Sequence, residues 1–211
     1  MSISPRTDLV TLGTAYGRWT VPCGPLSLAS TCYCVGVGED ISFDLGLIEH
    51  FGCVVHAFDP TPRSATFVKE QLPHEPRFVF HAYGLWSGNT VLKFYAPKNP
   101  EHVSHSAVNL QGTETYFEAP VKSLRTIMGD LGHTSLDLLK IDIEGAEYEV
   151  LEALFESEVR PNILCVEFDQ PVPFSKPVAM VRRLAAAGYE PVNRDGWNVT
   201  FVLGRQPDRR N

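Results

Sequence analysis

The sequence predicts a Rossmann-like α/β domain with a mostly parallel sheet and a C-terminal antiparallel hairpin. Three observations carry that expectation. Strand-like and helix-like segments alternate five times, the pattern of a parallel sheet covered by helices on both faces. The last two strand segments flank an Asp-Gly turn, which makes a hairpin. The residues best suited to chemistry fall at the carboxyl ends of expected strands, where open α/β sheets bind ligands.

Thr31 to Val35 reads as the first strand of the alternation and ends in Gly36-Val37-Gly38. Ile41, Leu45 and Ile48 then recur at i, i+4 and i+7, one helical face, and Gly52 supplies the stop. Cys53 to Phe58 is a short apolar run, as expected of a strand buried on both faces. Thr61-Pro62 gives an N-cap followed by a first-turn proline, with Ala65, Val68 and Leu72 as the buried stripe. Arg77 to Ala82 is the third strand. Leu85 to Asn89 reads as a turn and Thr90 to Tyr95 as an added strand. Ala96 to about Gly112 shows no period and carries Pro97, Pro100, His102 and His105; irregular loops of this length are often functional.

Ser123 caps a helix whose inward positions are Leu124, Ile127, Met128 and Leu131. Leu136 to Ile141 is a strand ending in Asp142-Ile143-Glu144-Gly145. The helix that follows from Ala146 turns Val150, Leu151, Leu154 and Phe155 inward. Asn162 to Phe168 is the next strand, and Ser175 caps a helix running to Gly188. Tyr189 to Val192, a turn at Asp195-Gly196, and Asn198 to Leu203 close the fold. Gly204 to Asn211 reads as a frayed polar tail.

A chain of 211 residues has room for one sizeable core, so a single domain is expected over 1–211, with its core at about 16–203. No run approaches the roughly 18–20 apolar residues that cross a bilayer, and the N-terminus lacks a basic-then-apolar export pattern. Those features point to a cytoplasmic protein with no membrane partner. The net charge of −7 would repel a phosphate backbone, which argues against a nucleic-acid partner. Five cysteines, an odd number, read as buried free thiols. Nothing in the sequence speaks to oligomeric state.

Three clusters can carry chemistry. Gly36-Val37-Gly38-Glu39 joins the first strand to the first helix, and glycines there permit a tight turn and close approach of a ligand. Asp59, with Pro60 after it, ends the second strand; a carboxylate there suits the two ribose hydroxyls of an adenosine-bearing cofactor. Tyr83, past the third strand, completes the expected cofactor contacts. The dinucleotide fingerprint's third glycine is missing, and Glu39 and Asp40 would repel a pyrophosphate. The same acids favour a cofactor bearing a sulfonium and no phosphate. The third cluster runs from Leu138 to Glu147 and delivers Asp142 and Glu144 to the sheet rim. These acids suit a cationic cofactor, an acceptor hydroxyl or a metal, whereas Glu147 reads as a helix-start acid.

At these clusters the sequence resembles the FkbM methyltransferase family. Val35-Gly36-Val37-Gly38, Phe58-Asp59-Pro60 and Lys140 through Glu147 match its motifs, and Tyr16-Gly17-Arg18-Trp19 is similar to its lead-in segment. The resemblance covers about Tyr16 to Leu203. It implies a class I methyltransferase domain, S-adenosylmethionine as donor, and a small-molecule acceptor, usually a hydroxyl of a sugar or secondary metabolite. One departure stands out. An acid commonly lies two residues before the first glycine, and Cys34 stands there, so Glu39 is the expected substitute partner for the donor's methionine end.

Methyl transfer to an alcohol requires in-line placement and removal of a proton. Asp142 is the first candidate for that role and Glu144 the second, ahead of His102 and His105. No metal is assigned, although Asp142 and Asp169-Gln170 resemble the positions that metal-dependent catechol-type methyltransferases use. Trp86, Tyr95, Tyr116 and Trp197 are candidates for an apolar wall against a ring-shaped acceptor. Two other readings stay open: a nicotinamide-dependent oxidoreductase, and a domain that binds cofactor without catalysis.

Overall fold

The computed structural model describes residues 3, 6–72, 74–99, 105–169 and 171–204. Its strands are β1 Leu9–Leu12, β2 Trp19–Pro22, β3 Thr31–Val35, β4 Val54–Phe58, β5 Phe78–His81, β6 Gly84–Trp86, β7 Thr90–Tyr95, β8 Tyr116–Ser123, β9 Leu138–Ile141, β10 Ile163–Glu167, β11 Tyr189–Asp195 and β12 Asn198–Leu203. Its helices are α1 Ser42–Phe51, α2 Pro62–Gln71, α3 Leu124–Leu131, α4 Glu147–Glu156 and α5 Ser175–Ala186.

The central sheet has the order β11-β12-β10-β9-β3-β4-β5. β10, β9, β3, β4 and β5 pair in parallel, and the β11–β12 hairpin adds the antiparallel edge through β12 against β10. The expected α/β class is therefore the observed one. Burial explains why these segments are strands: every residue of β9 is buried, and β3, β4 and β10 each have four buried residues of five. Strands covered on both faces need apolar side chains in both alternating directions. α1 and α2 supply cover on the face that carries Cys34 and Ala57. α3, α4 and α5 cover the face that carries Tyr33 and Phe58.

The helix boundaries follow local chemistry. Gly52 takes the left-handed conformation at φ +72° and ends α1. Thr61 accepts the Ser64 N–H to start α2, and Ser123 accepts the Thr126 N–H to start α3. The buried stripe of α2 is Ser64 and Val68, with Ala65 and Leu72 only half-buried. Ser175 does not cap α5: Phe174 holds the N-cap position without a side-chain bond, and Ser175 is the first helical residue.

Two small sheets lie outside the alternation read from the sequence. β1 and β2 form a hairpin that packs on α1 through Val10, Leu12, Trp19 and Val21. β6, β8 and β7 form a three-stranded sheet, so Leu85 and Trp86 are strand rather than turn. β8 is masked in the sequence by Pro120, which a strand interior disfavours. Pro120 sits beyond the β6 pairing, which starts at Gly84↔Val121, so one side of it is an open edge.

Four of the cysteines are buried free thiols and Cys23 is partly exposed. The tail after Gly204, together with His102, Pro100 and Gln170, lies outside the described residues. Among the described residues no helix is long and apolar enough to cross a membrane.

Beneath α3, on the face of β3–β5, three histidines and two tyrosines meet. His56 Nδ1 lies 3.0 Å from His81 Nε2, and the Tyr33 hydroxyl lies 2.6 Å from His133 Nδ1. Burial, with His133 and His81 nearby, pushes the His56 pKa down from 6.5 to about 4. The unfolded chain then binds a proton at His56 at a higher pH than the folded chain does. The His56 contribution is constant above pH 6.5, and it lowers stability as the pH drops from there towards about 4. Denaturant melts at pH 7 and 4 should show His56 contributing a loss on the order of 2–3 kcal/mol. His56→Gln should flatten that acid limb, and an unchanged limb would clear His56 of the effect.

Candidate functional site

A cleft opens over the carboxyl ends of β3, β4, β9 and β10. It sits where the chain, having built β3, β4 and β5 outward, crosses back to place β9 on the other side of β3. Such a reversal leaves a crevice at the strand ends because adjacent connections depart to opposite sides.

The first wall is the turn after β3. Gly36 has φ +89°, and its N–H donates to the Phe58 carbonyl at 2.9 Å. A Cβ built on Gly36 would lie 1.7 Å from the carbonyl oxygen of Asp142. What approaches this glycine so closely is the second turn of the site, not only a ligand. Asp59 is buried, and both its oxygens are engaged within the chain. Oδ2 accepts the N–H groups of Val37 and Gly38 at 2.9 and 3.0 Å, and Oδ1 accepts the N–H and hydroxyl of Thr61 at 2.8 and 2.6 Å. With four donors on one carboxylate, Asp59 shapes the glycine turn, and the expected ribose role would have to compete with those bonds. Glu39, expected to stand in for the acid missing at Cys34, is bound bidentately by Arg63 at 2.6 and 2.9 Å, with both side chains partly exposed.

The second wall follows β9. Lys140 is buried in an otherwise apolar strand, and its ammonium donates to the Gly36 carbonyl at 2.7 Å and meets Asp142 at 2.9 Å. One lysine thus ties both turns together. Burial opposes its charge, but Asp142 and Asp44 outweigh that and hold the ammonium above its ordinary range. Burial likewise opposes the Asp142 anion, and Lys140 outweighs it, so Asp142 stays ionised. Glu144 lies at φ +55°, a left-handed conformation uncommon for a side-chain-bearing residue. Its carbonyl accepts the buried Ser106 hydroxyl at 2.7 Å, which anchors the strained turn to the irregular segment after β7.

β10 completes the acidic floor. Burial and a hydrogen bond with Asp142 push Glu167 up to about 10, so it is protonated at neutral pH. Asp169 accepts the Gly145 N–H at 2.7 Å; burial, then Glu144, Glu147 and Asp142, push it up to about 8. Glu147 opens α4 as expected of a helix-start acid, but it is fully buried, accepts the Asp169 N–H at 3.2 Å and is pushed by burial to about 7.

Gly36, Val37, Gly38, Glu39, Asp59, Pro60, Asp142 and Glu144 all border the cleft, as do His105 and Trp86. Tyr83 does not border it. Its ring packs against Phe58 and His81 with the Lys122 ammonium over it, and Gly84 takes the place at the rim. Tyr95 and Tyr116 pack against each other in the small sheet, and Trp197 packs on Phe174, so the expected aromatic wall reduces to Trp86 with Leu85 and Phe94. The sequence reading missed Glu167 and Asp44, and it took Lys140 only as part of a matched motif, with no role of its own. A lysine inside an apolar strand is itself a signal, since buried lysines are almost always paired.

Among known proteins, residues 33–191 match the family model described as Methyltransferase FkbM domain. The chain is 30% identical over 132 residues to a human protein named probable methyltransferase-like protein 24, a match covering 62% of this chain and 30% of that protein. The rat protein of the same name is 31% identical with the same coverage. The aligned part thus spans less than a third of the length of these relatives. Among solved structures, a fibrillarin pre-rRNA processing protein of Methanococcus jannaschii superposes with TM-score 0.49 at 11% identity, covering 86% of this chain and 70% of that one. A precorrin-6y C5,15-methyltransferase of Geobacter metallireducens gives TM-score 0.46 at 11% identity, covering 84% and 82%.

Proposed function

The chain belongs to the FkbM methyltransferase family, whose cofactor is S-adenosylmethionine, and on that premise we propose that it methylates a hydroxyl oxygen of a small sugar or secondary metabolite. The residues present fit the donor. Its sulfonium and ammonium are cations, and Asp142, kept ionised by Lys140, lies on the floor of the cleft with Glu144 beside it. The glycine turn offers backbone close to the ligand, and Pro60, Leu85 and Trp86 offer apolar faces for an adenine ring. When bound, the donor supplies an electrophilic methyl group.

The observation that carries the reading is the pairing of a fixed anion with a poised base. Lys140 keeps Asp142 ionised, so it faces a cation without taking up a proton readily. Asp169, at about 8, has the affinity to accept an alcohol proton near neutral pH. Asp142 therefore orients, with Glu144 beside it, and Asp169 is the better base than either. Asn198 also borders the cleft and provides a neutral hydrogen-bonding group for a polyol.

The test is donor turnover against a panel of sugars, phenols and amines. Products methylated at oxygen are expected, with the rate rising from pH 6 and levelling above about 8 as Asp169 loses its proton. The sign follows from a base that works only when ionised. Products methylated at nitrogen would overturn the hydroxyl reading.

A further inference from the structure

Of the exposed large hydrophobic side chains among the described residues, Tyr16 is the most exposed, at 84%, and it alone borders the cleft. It sits in the turn between β1 and β2, and the backbone of that turn is held on both sides. The Thr14 hydroxyl donates to Asp40 Oδ2 at 2.6 Å and accepts the Gly17 N–H at 3.1 Å, while the Thr14 N–H donates to the Ser42 hydroxyl at 2.7 Å. A Cβ on Gly17 would lie 2.7 Å from the Asp40 carboxyl carbon, so the turn rests directly on the start of α1. After it, Arg18 pairs with Asp195 and Trp19 is buried. The backbone is fixed and the Tyr16 side chain stands out from it.

That side chain stands where the reaction takes place. Of the acids around it, Asp142 and Glu144 act most strongly on its phenol, and both border the cleft just past the end of β9. The reacting sulfur belongs at the same point, since Asp142 orients there and Asp169, the base of the proposed reaction, follows β10. A sulfonium held over these carboxylates has them on one side and Tyr16 at the mouth on the other. The face of an aromatic ring is negative and attracts a cation placed over it.

We propose that Tyr16 is a positioning residue that turns over the occupied cleft and lays its ring on the donor's sulfonium, so that the site prefers the donor to its demethylated product. The proposal rests on the reading of the cleft as an S-adenosylmethionine site with Asp169 as base. In that reaction the methyl group leaves sulfur for the alcohol oxygen, the alcohol proton passes to Asp169, and the sulfur becomes a neutral thioether. The attraction between ring and cation ends at that step, which favours release of the product.

Calorimetry with the full chain tests this without an acceptor. Three ligands share the nucleoside and the amino-acid group: S-adenosylmethionine carries the sulfonium, sinefungin a protonated amine in its place, and S-adenosylhomocysteine a neutral thioether. Tyr16→Leu keeps an apolar side chain and removes the aromatic face. It should weaken S-adenosylmethionine and sinefungin by about fivefold or more, and S-adenosylhomocysteine by less than about twofold. Tyr16→Phe keeps the face and should hold all three within about twofold of the wild type. An equal loss for all three ligands in Tyr16→Leu, as a residue that only shapes the cleft would give, overturns the proposal, and so does no loss for any. If Tyr16→Phe fails as Tyr16→Leu does, the hydroxyl carries the effect and the proposal also falls. A wild type that binds none of the three removes the cofactor reading and the proposal together. Wild-type binding with an unaltered ratio in Tyr16→Leu removes the proposal alone.

Discussion

Asp142→Asn should slow methyl transfer by about a hundredfold, the scale for a small misplacement of the reacting groups when an orienting residue is lost. The protein should remain folded, although breaking a buried ion pair by removing one partner usually costs about 3–5 kcal/mol. The reason lies in the groups left behind. With Asp142 neutral, Glu167 loses the like charge that raises its pKa and becomes free to ionise towards Lys140. Asp44 also faces that lysine and, at about 6, is ionised at neutral pH. Donor affinity should fall by no more than about tenfold, or about 1.4 kcal/mol. Full turnover in Asp142→Asn, measured once an acceptor is in hand, would remove the residue from the mechanism. Chelator added to the wild type separates direct action from action through a metal: an unchanged rate means the carboxylate acts itself.

Gly36→Ala should be the most damaging single methyl group that can be added to this site. At φ +89° the new Cβ would sit 1.7 Å from the Asp142 carbonyl oxygen, far inside contact distance, and the obstacle is backbone rather than a side chain that could swing away. Relief requires parting the turns after β3 and β9, which also pulls the Lys140 ammonium off the Gly36 carbonyl. A loss of about 4 kcal/mol or more is expected, beyond the ordinary range for point changes. Chemical denaturation checks it, and a loss under about 1 kcal/mol would show that the two turns are not in contact. The glycine is thus required by the fold before any ligand arrives. A failure of this variant to bind cofactor would say nothing about ligand contact.

The sheet was legible because its strands are apolar on both faces, and the alternation of periods needs no tertiary knowledge. β1, β2, β6 and β8 were not legible. They are short or interrupted by Pro120, and their pairing depends on partners distant in sequence. The site divides the same way. Gly36, Gly38, Asp59 and Asp142 announce themselves because turn chemistry at a strand end is local. The bond count that makes Asp59 an organiser of the turn is visible only with Val37, Gly38 and Thr61 in place. Asp44 had a signal that went unused: it falls three residues after Ile41, on the stripe that continues through Leu45 and Ile48. A carboxylate on the buried face of a helix has to answer to something. Tyr83 misled for the opposite reason, since its position after a strand end says nothing about which way a ring turns.

The bond from Lys140 to the Gly36 carbonyl spans 104 residues of sequence. Each of the two turns is local, but the cleft between them exists only when β9 has docked against β3, after the whole intervening chain has been looped out. Closing a loop of that length carries an entropic penalty that must be met before the contact gives anything back, and topologies rich in such contacts fold slowly. The first glycine turn can form early during synthesis and has nothing to bind until the ribosome has delivered the lysine. On the proposed reading of the cleft, capacity for cofactor is therefore a property of the assembled sheet, and a fragment that stops short of β9 is expected to lack it.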